Sequence, residues 1–415
     1  MCYSKGITGA EMRASKKILC SVLASVFGLV SMNVHAADQP KPMTARLTAE
    51  VTPTSLPEST KDSRITAFDV APDGSRLGVL YVTWPSRTSF GLSAAIWDIR
   101  SKAVVEHAPI GLEAVRAPSG PLVDDELIFT ADEKYLLALG LGKVWILDAN
   151  TCAVARSIDS PRSELGPPVR ILLAGRSALA VTYRQGYNQF YVALFEIPTA
   201  KMIAGWQSSA FPQSFSPDGK LAVAPDAEHY NQGGVKNLLV MDARTGAGIK
   251  SIPVSFGFKK WESDAEKGSV TARFLDNDQV VVTPDNMTDH TGHHSGTSMV
   301  VINISESRVV REIMPKNFGP TGELAVSPDL GHFAVYSHNV SAVAKLSDGL
   351  WPDFHKPELM LFATNQTKPE LVIPDLRGDG AVAHLRNMVL PRLSSNASVV
   401  AVAQLGAVKV FQAKE

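Results

Sequence analysis

Phe215-Ser-Pro-Asp-Gly-Lys-Leu-Ala-Val223 decides the fold, because four other stretches rewrite it. They are Val70-Ala-Pro-Asp-Gly-Ser-Arg-Leu-Gly-Val79, Phe129-Thr-Ala-Asp-Glu-Lys-Tyr-Leu-Leu-Ala138, Phe274-Leu-Asp-Asn-Asp-Gln-Val-Val-Val282 and Val326-Ser-Pro-Asp-Leu-Gly-His-Phe-Ala-Val335. In each, an apolar strand end leads into a four-residue polar turn and then a second apolar run. Pro at the second turn position presets φ, Asp bonds its own backbone, and Gly accepts positive φ, so the chain reverses tightly. Hairpins recurring every ~40–60 residues mark a repeat architecture in which one unit is a propeller blade.

Working outward, residues 64–373 divide into six units of four short strands, A to D, beginning with the hairpin Arg64–Val70 and Leu77–Tyr81. A seventh unit, with strands at Asn387–Leu390, Ser398–Ala403 and Val408–Phe411, stops after three. Its open sheet edge would be an unpaired ladder. Thr44–Val51, an alternating apolar piece in an otherwise Pro-, Thr- and Ser-rich linker over residues 37–63, has the length and pattern to fill that edge and close the ring. Helical periodicity is absent, so the expected class is all-β, a seven-bladed propeller of four-stranded antiparallel blades over residues 64–415.

The Ser/Ala-Pro-Asp-Gly hairpins and the C-strand endings Ile96-Trp-Asp-Ile99, Trp145-Ile-Leu-Asp148 and Leu239-Val-Met-Asp-Ala-Arg-Thr-Gly246 resemble the WD40-like and YVTN-type propellers of bacterial exported proteins. The TolB-type and amine-dehydrogenase heavy-chain propellers are among them. The resemblance spans nearly all of the chain after residue 36. The Gly-His pair of true WD40 repeats is missing, so the buried hydrogen-bond network of those repeats is not expected. Such motifs specify a fold and are nearly silent on activity.

An apolar fraction of 45% and a charged fraction of 20% are those of a soluble globular protein. Arg13, Lys16 and Lys17 precede the apolar run Ile18–Val30, and Val34-His-Ala36 offers small residues for cleavage, so residues 1–36 read as a signal peptide starting at Met1 or Met12. The expected location is the periplasm. The leader carries Lys5, Arg13, Lys16 and Lys17 against Glu11, so its removal takes the formal charge from −1 to about −4. Nothing in that balance calls for nucleic acid or an anionic membrane, and no later stretch has the ~20 apolar residues of a membrane span. Cys2 and Cys20 leave with the leader, so Cys152 has no disulfide partner and reads as a turn residue.

No Cys-x-x-Cys-His, Gly-x-Ser-x-Gly or phosphate-cradling Gly-rich loop is present. The A–B and C–D turns are short, whereas the B–C connections are long at Thr83–Leu92, Pro225–Lys236, Pro284–Thr297 and Ser337–Pro357, with Arg184–Gln189 and the D–A connection Pro253–Ser269 beside them. All fall on one face, and long loops in compact folds are usually functional or disordered. They offer Trp84, Arg87, Phe90, Arg184, Tyr187, His229, Tyr230, Trp261, Trp351 and Phe354, side-chain types enriched at binding surfaces. The same rings could instead pin their own loops. His290, His293 and His294 with Asp289 are sound ligand types for Zn or Cu, although a solvated His-rich loop is the commoner explanation of such a cluster. The expected function is a non-catalytic binding or scaffold module taking a protein or small-molecule partner on this face. The alternative is an enzyme or enzyme subunit: a metal-assisted hydrolase or lactonase, or the heavy chain of a periplasmic dehydrogenase.

Overall fold

In the computed structural model the chain divides into two compact units, residues 1–41 and Pro42–Glu415. The described residues, all in the second unit, are 43–86, 89–114, 125–186, 189–226, 237–254, 269–285, 298–315, 320–338, 343–346, 349–352, 357–374, 376, 391–404 and 406–414.

They build a seven-bladed β-propeller of four-stranded antiparallel sheets. After β1 (Thr44–Val51), blade one holds β2–β5 (Arg64–Val70, Arg76–Ser86, Ser89–Asp98, Ala103–Ala114). Blade two holds β6–β9 (Glu126–Phe129, Tyr135–Gly140, Lys143–Asp148, Val154–Ile158), and blade three β10–β13 (Pro168–Ala174, Ala178–Gly186, Gln189–Glu196, Lys201–Ser208). Blade four holds β14–β17 (Ser214–Phe215, Leu221–Pro225, Asn237–Asp242, Gly248–Pro253), and blade five β18–β21 (Ser269–Phe274, Gln279–Asp285, Met299–Asn303, Arg308–Ile313). Blade six uses β22, β23, β26 and β27 (Pro320–Val326, His332–His338, Pro357–Ala363, Leu371–Ile373), with a separate hairpin, β24 and β25 (Val343–Leu346, Gly349–Pro352), inserted in it. Blade seven holds β28–β30 (Arg392–Leu393, Val399–Gln404, Ala407–Lys414), and β1 pairs antiparallel with β30 as its fourth strand. The ring is therefore closed by the N-terminal strand, as the count of strands required.

The turns work as their residues dictate. In five A–B hairpins the fourth turn residue returns its N–H to the first carbonyl at 2.8–2.9 Å: Gly74 to Ala71, Glu133 to Thr130, Gly219 to Ser216, Leu330 to Ser327 and Ala397 to Ser394. All five fourth residues have positive φ, from 52° to 73°. Where the first residue is Ser or Thr, its hydroxyl donates to the Asp or Asn two places on and accepts the N–H of the next strand, as Ser216 does with Asp218 (2.7 Å) and Leu221 (2.9 Å). The C–D turns use another device. Lys102, Cys152 and Gly246 each donate to the carbonyl four residues back, on Asp98, Asp148 and Asp242, at 2.9 Å. Those Asp side chains accept the hydroxyl of Ser101, Thr151 or Thr245 and the intervening N–H groups, which hold their carboxyls below the usual carboxylate range. Gly246 has φ +70°, and the Trp206 ring lies where a Cβ would stand, so glycine is required there.

Seven apolar clusters fill the seven interfaces between neighbouring blades. The B and C strands are thus buried on both faces, which is why Leu136–Leu139 and Val144–Leu147 are continuous apolar runs rather than alternating ones. The outer D strands alternate, exposing one side to solvent, as in β21.

The structure corrects three local assignments. Strands B and C of blade one run on through Ser86 and from Ser89, so most of Thr83–Leu92 is a projecting hairpin rather than a loop. In blade three only residues 187–188 separate β11 from β12. The A strand of blade seven is Arg392–Leu393, not Asn387–Leu390, which lies outside the described residues.

Candidate functional site

The A strands stand around the propeller axis, where β2 contacts both β6 and β28 and β18 contacts β22. Alternate residues of a strand share a face. Counting back two from each hairpin turn therefore gives one tier of the axial wall: Asp69, Ile128, Leu172, Ser214, Arg273, Ala325 and Arg392. Glu126 and Arg170 lie one tier further from the turns. All of these line one axial cavity of about 780 Å³, whose mouth is formed by A–B turn residues including Pro72, Pro217 and Pro328.

The charged members stitch blade to blade. Asp69 accepts the Phe129 N–H at 2.7 Å across to blade two and lies 3.4 Å from Nε of Arg392, which also donates to the Phe68 carbonyl at 3.2 Å. Glu126 accepts the Ile171 N–H at 2.6 Å and lies 3.7 Å from Arg170 Nε. Gln213 accepts from Ala272 N–H and donates to the Val270 carbonyl, both at 2.7 Å. Arg273 Nη1 donates to the carbonyls of Gln213 (2.6 Å) and Ala272 (3.0 Å). Each bond satisfies a backbone group that a seven-strand axial ring would leave unpaired.

Removal from bulk water sets the protonation balance. Burial pushes the Asp69 carboxyl up to about 6 against the opposing pull of Arg392 and two backbone N–H donors. It also raises Glu126 against the pull of Arg170. Burial, reinforced by Arg170 and Arg392, brings the Arg273 guanidinium down to about 9 while Glu126 opposes. Arg170, Arg273 and Arg392 thus share the strand wall of the cavity with Asp69 and Glu126, while Arg176, Asp132 and Asp329 line it from the turns.

Few of the side chains expected on the B–C face fall among the described residues. Trp84 is half-buried, tilted against Phe90 at 5.5 Å between ring centroids, and packs on the interface between blades one and two. That placement is loop anchoring. Arg184 is exposed near the end of β11, in register with Phe190. Trp351 occupies β25 opposite Ala344. No described contact joins Trp84 and Arg184. Arg87, Tyr187, His229, Tyr230, Trp261 and Phe354 lie outside the described residues, as do His290, His293, His294 and Asp289. Among the described residues no group of three or more His, Cys, Asp or Glu is placed to hold a metal. Cys152 is buried at φ +56°, and burial pushes its thiol up to about 12, so it is a turn residue and no nucleophile.

Sequence reading passed over Asp69, Glu126, Arg170, Arg273 and Arg392. The signal was there: charges inside otherwise apolar A strands, three of them two residues before the hairpin turn.

The geometry defines the chain as a seven-bladed β-propeller with a charged axial channel. Among solved structures, it is similar over 92% of its length to a chain in the crystal structure of a mitotic checkpoint complex, covering 98% of that chain at a TM-score of 0.52 and 12% identity. A second similar structure, KlHsv2 with loop 6CD replaced by a Gly-Ser linker, aligns over 85% of this chain and 97% of its own at a TM-score of 0.47 and 12% identity. No protein-family model matches the chain, and no curated protein matches it. At such identities the likeness is one of fold.

Proposed function

We propose that the protein is a binding module of the bacterial periplasm, exported by residues 1–36 and related to the TolB-type propellers, that engages a protein or small-molecule partner on its B–C face. The observation that carries this reading is the asymmetry of the two faces. A–B and C–D turns are cut to the minimum and locked by repeated hydrogen bonds, so turn geometry accounts for their residues. On the B–C side, blade one projects a hairpin to Ser86 and Ser89, and blade six carries the extra hairpin Val343–Leu346 and Gly349–Pro352. Neither is needed to close a blade. His290, His293 and His294 with Asp289, within the sequence that links strands B and C of blade five, supply ligand types for Zn or Cu, and metal analysis of the purified protein beside its triple His→Ala variant tests that part.

His338 and Pro357 are already paired across β23 and β26, so a two-residue Asn-Gly turn can replace residues 339–356 without changing register. The shortened protein should keep its urea midpoint and lose a partner that crosslinking to the wild type identifies. Retention of that partner by the shortened variant, together with its loss on altering the A–B turns, would reverse the assignment of faces.

A further inference from the structure

Arg273 is the axial arginine that makes no ion pair among the described residues; Glu126 acts on it only at longer range. Asp69 is engaged by Arg392 and the Phe129 N–H, and Glu126 by Arg170 and the Ile171 N–H. Arg273 instead spends Nη1 on two main-chain carbonyls, and its Nε and Nη2 have no described partner. Arg170 Nε is buried with no hydrogen bond, its ion pair to Glu126 being 3.7 Å long. Tethering Nη1 fixes the guanidinium plane and leaves the Nε–Nη2 edge, one of the two forks by which arginine grips carboxylate or phosphate oxygens in pairs. A ring stitch alone asks for no charge: Gln213 makes the equivalent bonds from a neutral amide. Placing a third cation beside Arg170 and Arg392 in a half-enclosed lumen is unfavourable unless water or an anion answers it.

We propose that the axial channel binds an oxyanion, a carboxylate or phosphate that is free or the end group of a larger molecule, gripped by Arg273 with Arg170 beside it and entering past the Pro72, Pro217 and Pro328 rim. About 780 Å³ is ample for such a group. The channel opens among the A–B turns, opposite the B–C connections, so this site stands or falls independently of the face argued above.

The test uses the mature protein with inorganic phosphate and, separately, succinate, each titrated against chloride at constant ionic strength. Thermal unfolding should show a saturable rise in midpoint, and the ³¹P line of phosphate should broaden on adding protein. Arg273→Gln should weaken the apparent affinity roughly ten- to a hundred-fold, the loss of a charge-assisted bond pair. Arg308→Gln, at an exposed residue paired with Glu306, should leave it unchanged. A response to both anions establishes shared oxyanion recognition; a response to one selects the carboxylate or the phosphate. Absence of a saturable response to either anion in the wild type overturns the proposal, as does an Arg273→Gln protein that responds like the wild type. Should Arg273→Gln not fold, Arg170→Gln and the wild-type ³¹P titration decide by the same criteria.

Discussion

Val51 and Leu47 lie four residues apart on β1 and face opposite circumstances. Val51 is fully buried between blades seven and one, packed with Ile65, Val79, Val408 and Val410, whereas Leu47 is 46% exposed. A bulge between Leu47 and Ala49 separates the two parts of the ladder, and Thr48 there donates its hydroxyl to the Val410 carbonyl at 3.0 Å. Val51→Ala removes two methyl groups from a closed interface. Transfer and cavity terms together put the loss at about 2 kcal/mol. Urea denaturation should show that loss as a lower midpoint at constant m-value, and thermal unfolding as a drop of roughly 2–3 °C for a chain of this size. Leu47→Ala should move stability by no more than about 0.5 kcal/mol. The pair separates a clasp from a tail, since both residues belong to one strand and differ only in what β1 buries. Equal shifts for the two variants, or none for Val51→Ala, would refute closure of the ring by Thr44–Val51.

Leu330 sits at φ +64° where the equivalent residues of two other hairpins are Gly74 and Gly219, so Leu330→Gly should raise stability by about 1 kcal/mol in the same urea assay. A loss instead would mean that its side chain's packing at the channel mouth outweighs the backbone strain. The Asp69 carboxyl, pushed up to about 6 from its ordinary 3.8, binds its proton more tightly folded than unfolded. Its stabilising contribution is therefore complete below about pH 4 and lost as pH rises through about 6. Wild type should lose about 2–3 kcal/mol relative to Asp69→Asn across that window, and parallel pH profiles would contradict it. Cys152, buried with its thiol raised, should react with a thiol reagent only as fast as the protein unfolds. Rapid labelling of the native protein would show that the turn opens.

Local chemistry is what sequence displays, and the fold was legible wherever local chemistry fixes it. Ser216-Pro-Asp-Gly219 declares its turn through the groups that make it, and the double burial of Leu136–Leu139 is written as an unbroken apolar run. Even the ring-closing role of Thr44–Val51 followed from an alternating pattern and one missing edge. Pro85 hid the length of the first hairpin, because proline reads as a break; the ladder admits it only through a register shift between Thr83 and Ser86. A related misreading concealed the channel. Met388-Val-Leu390 looks more like a strand than Pro391-Arg-Leu393, and Ser394-Ser-Asn-Ala397 lacks the Pro-Asp-Gly mark that would have set the register. Set by that turn, Arg392 falls two places before it, where Asp69 and Arg273 fall before theirs. The channel charges are thus a property of register shared among blades hundreds of residues apart. A charged residue inside an apolar A strand is a solvated accident when read alone. Read at a fixed offset from seven turns, it is a position on one axis.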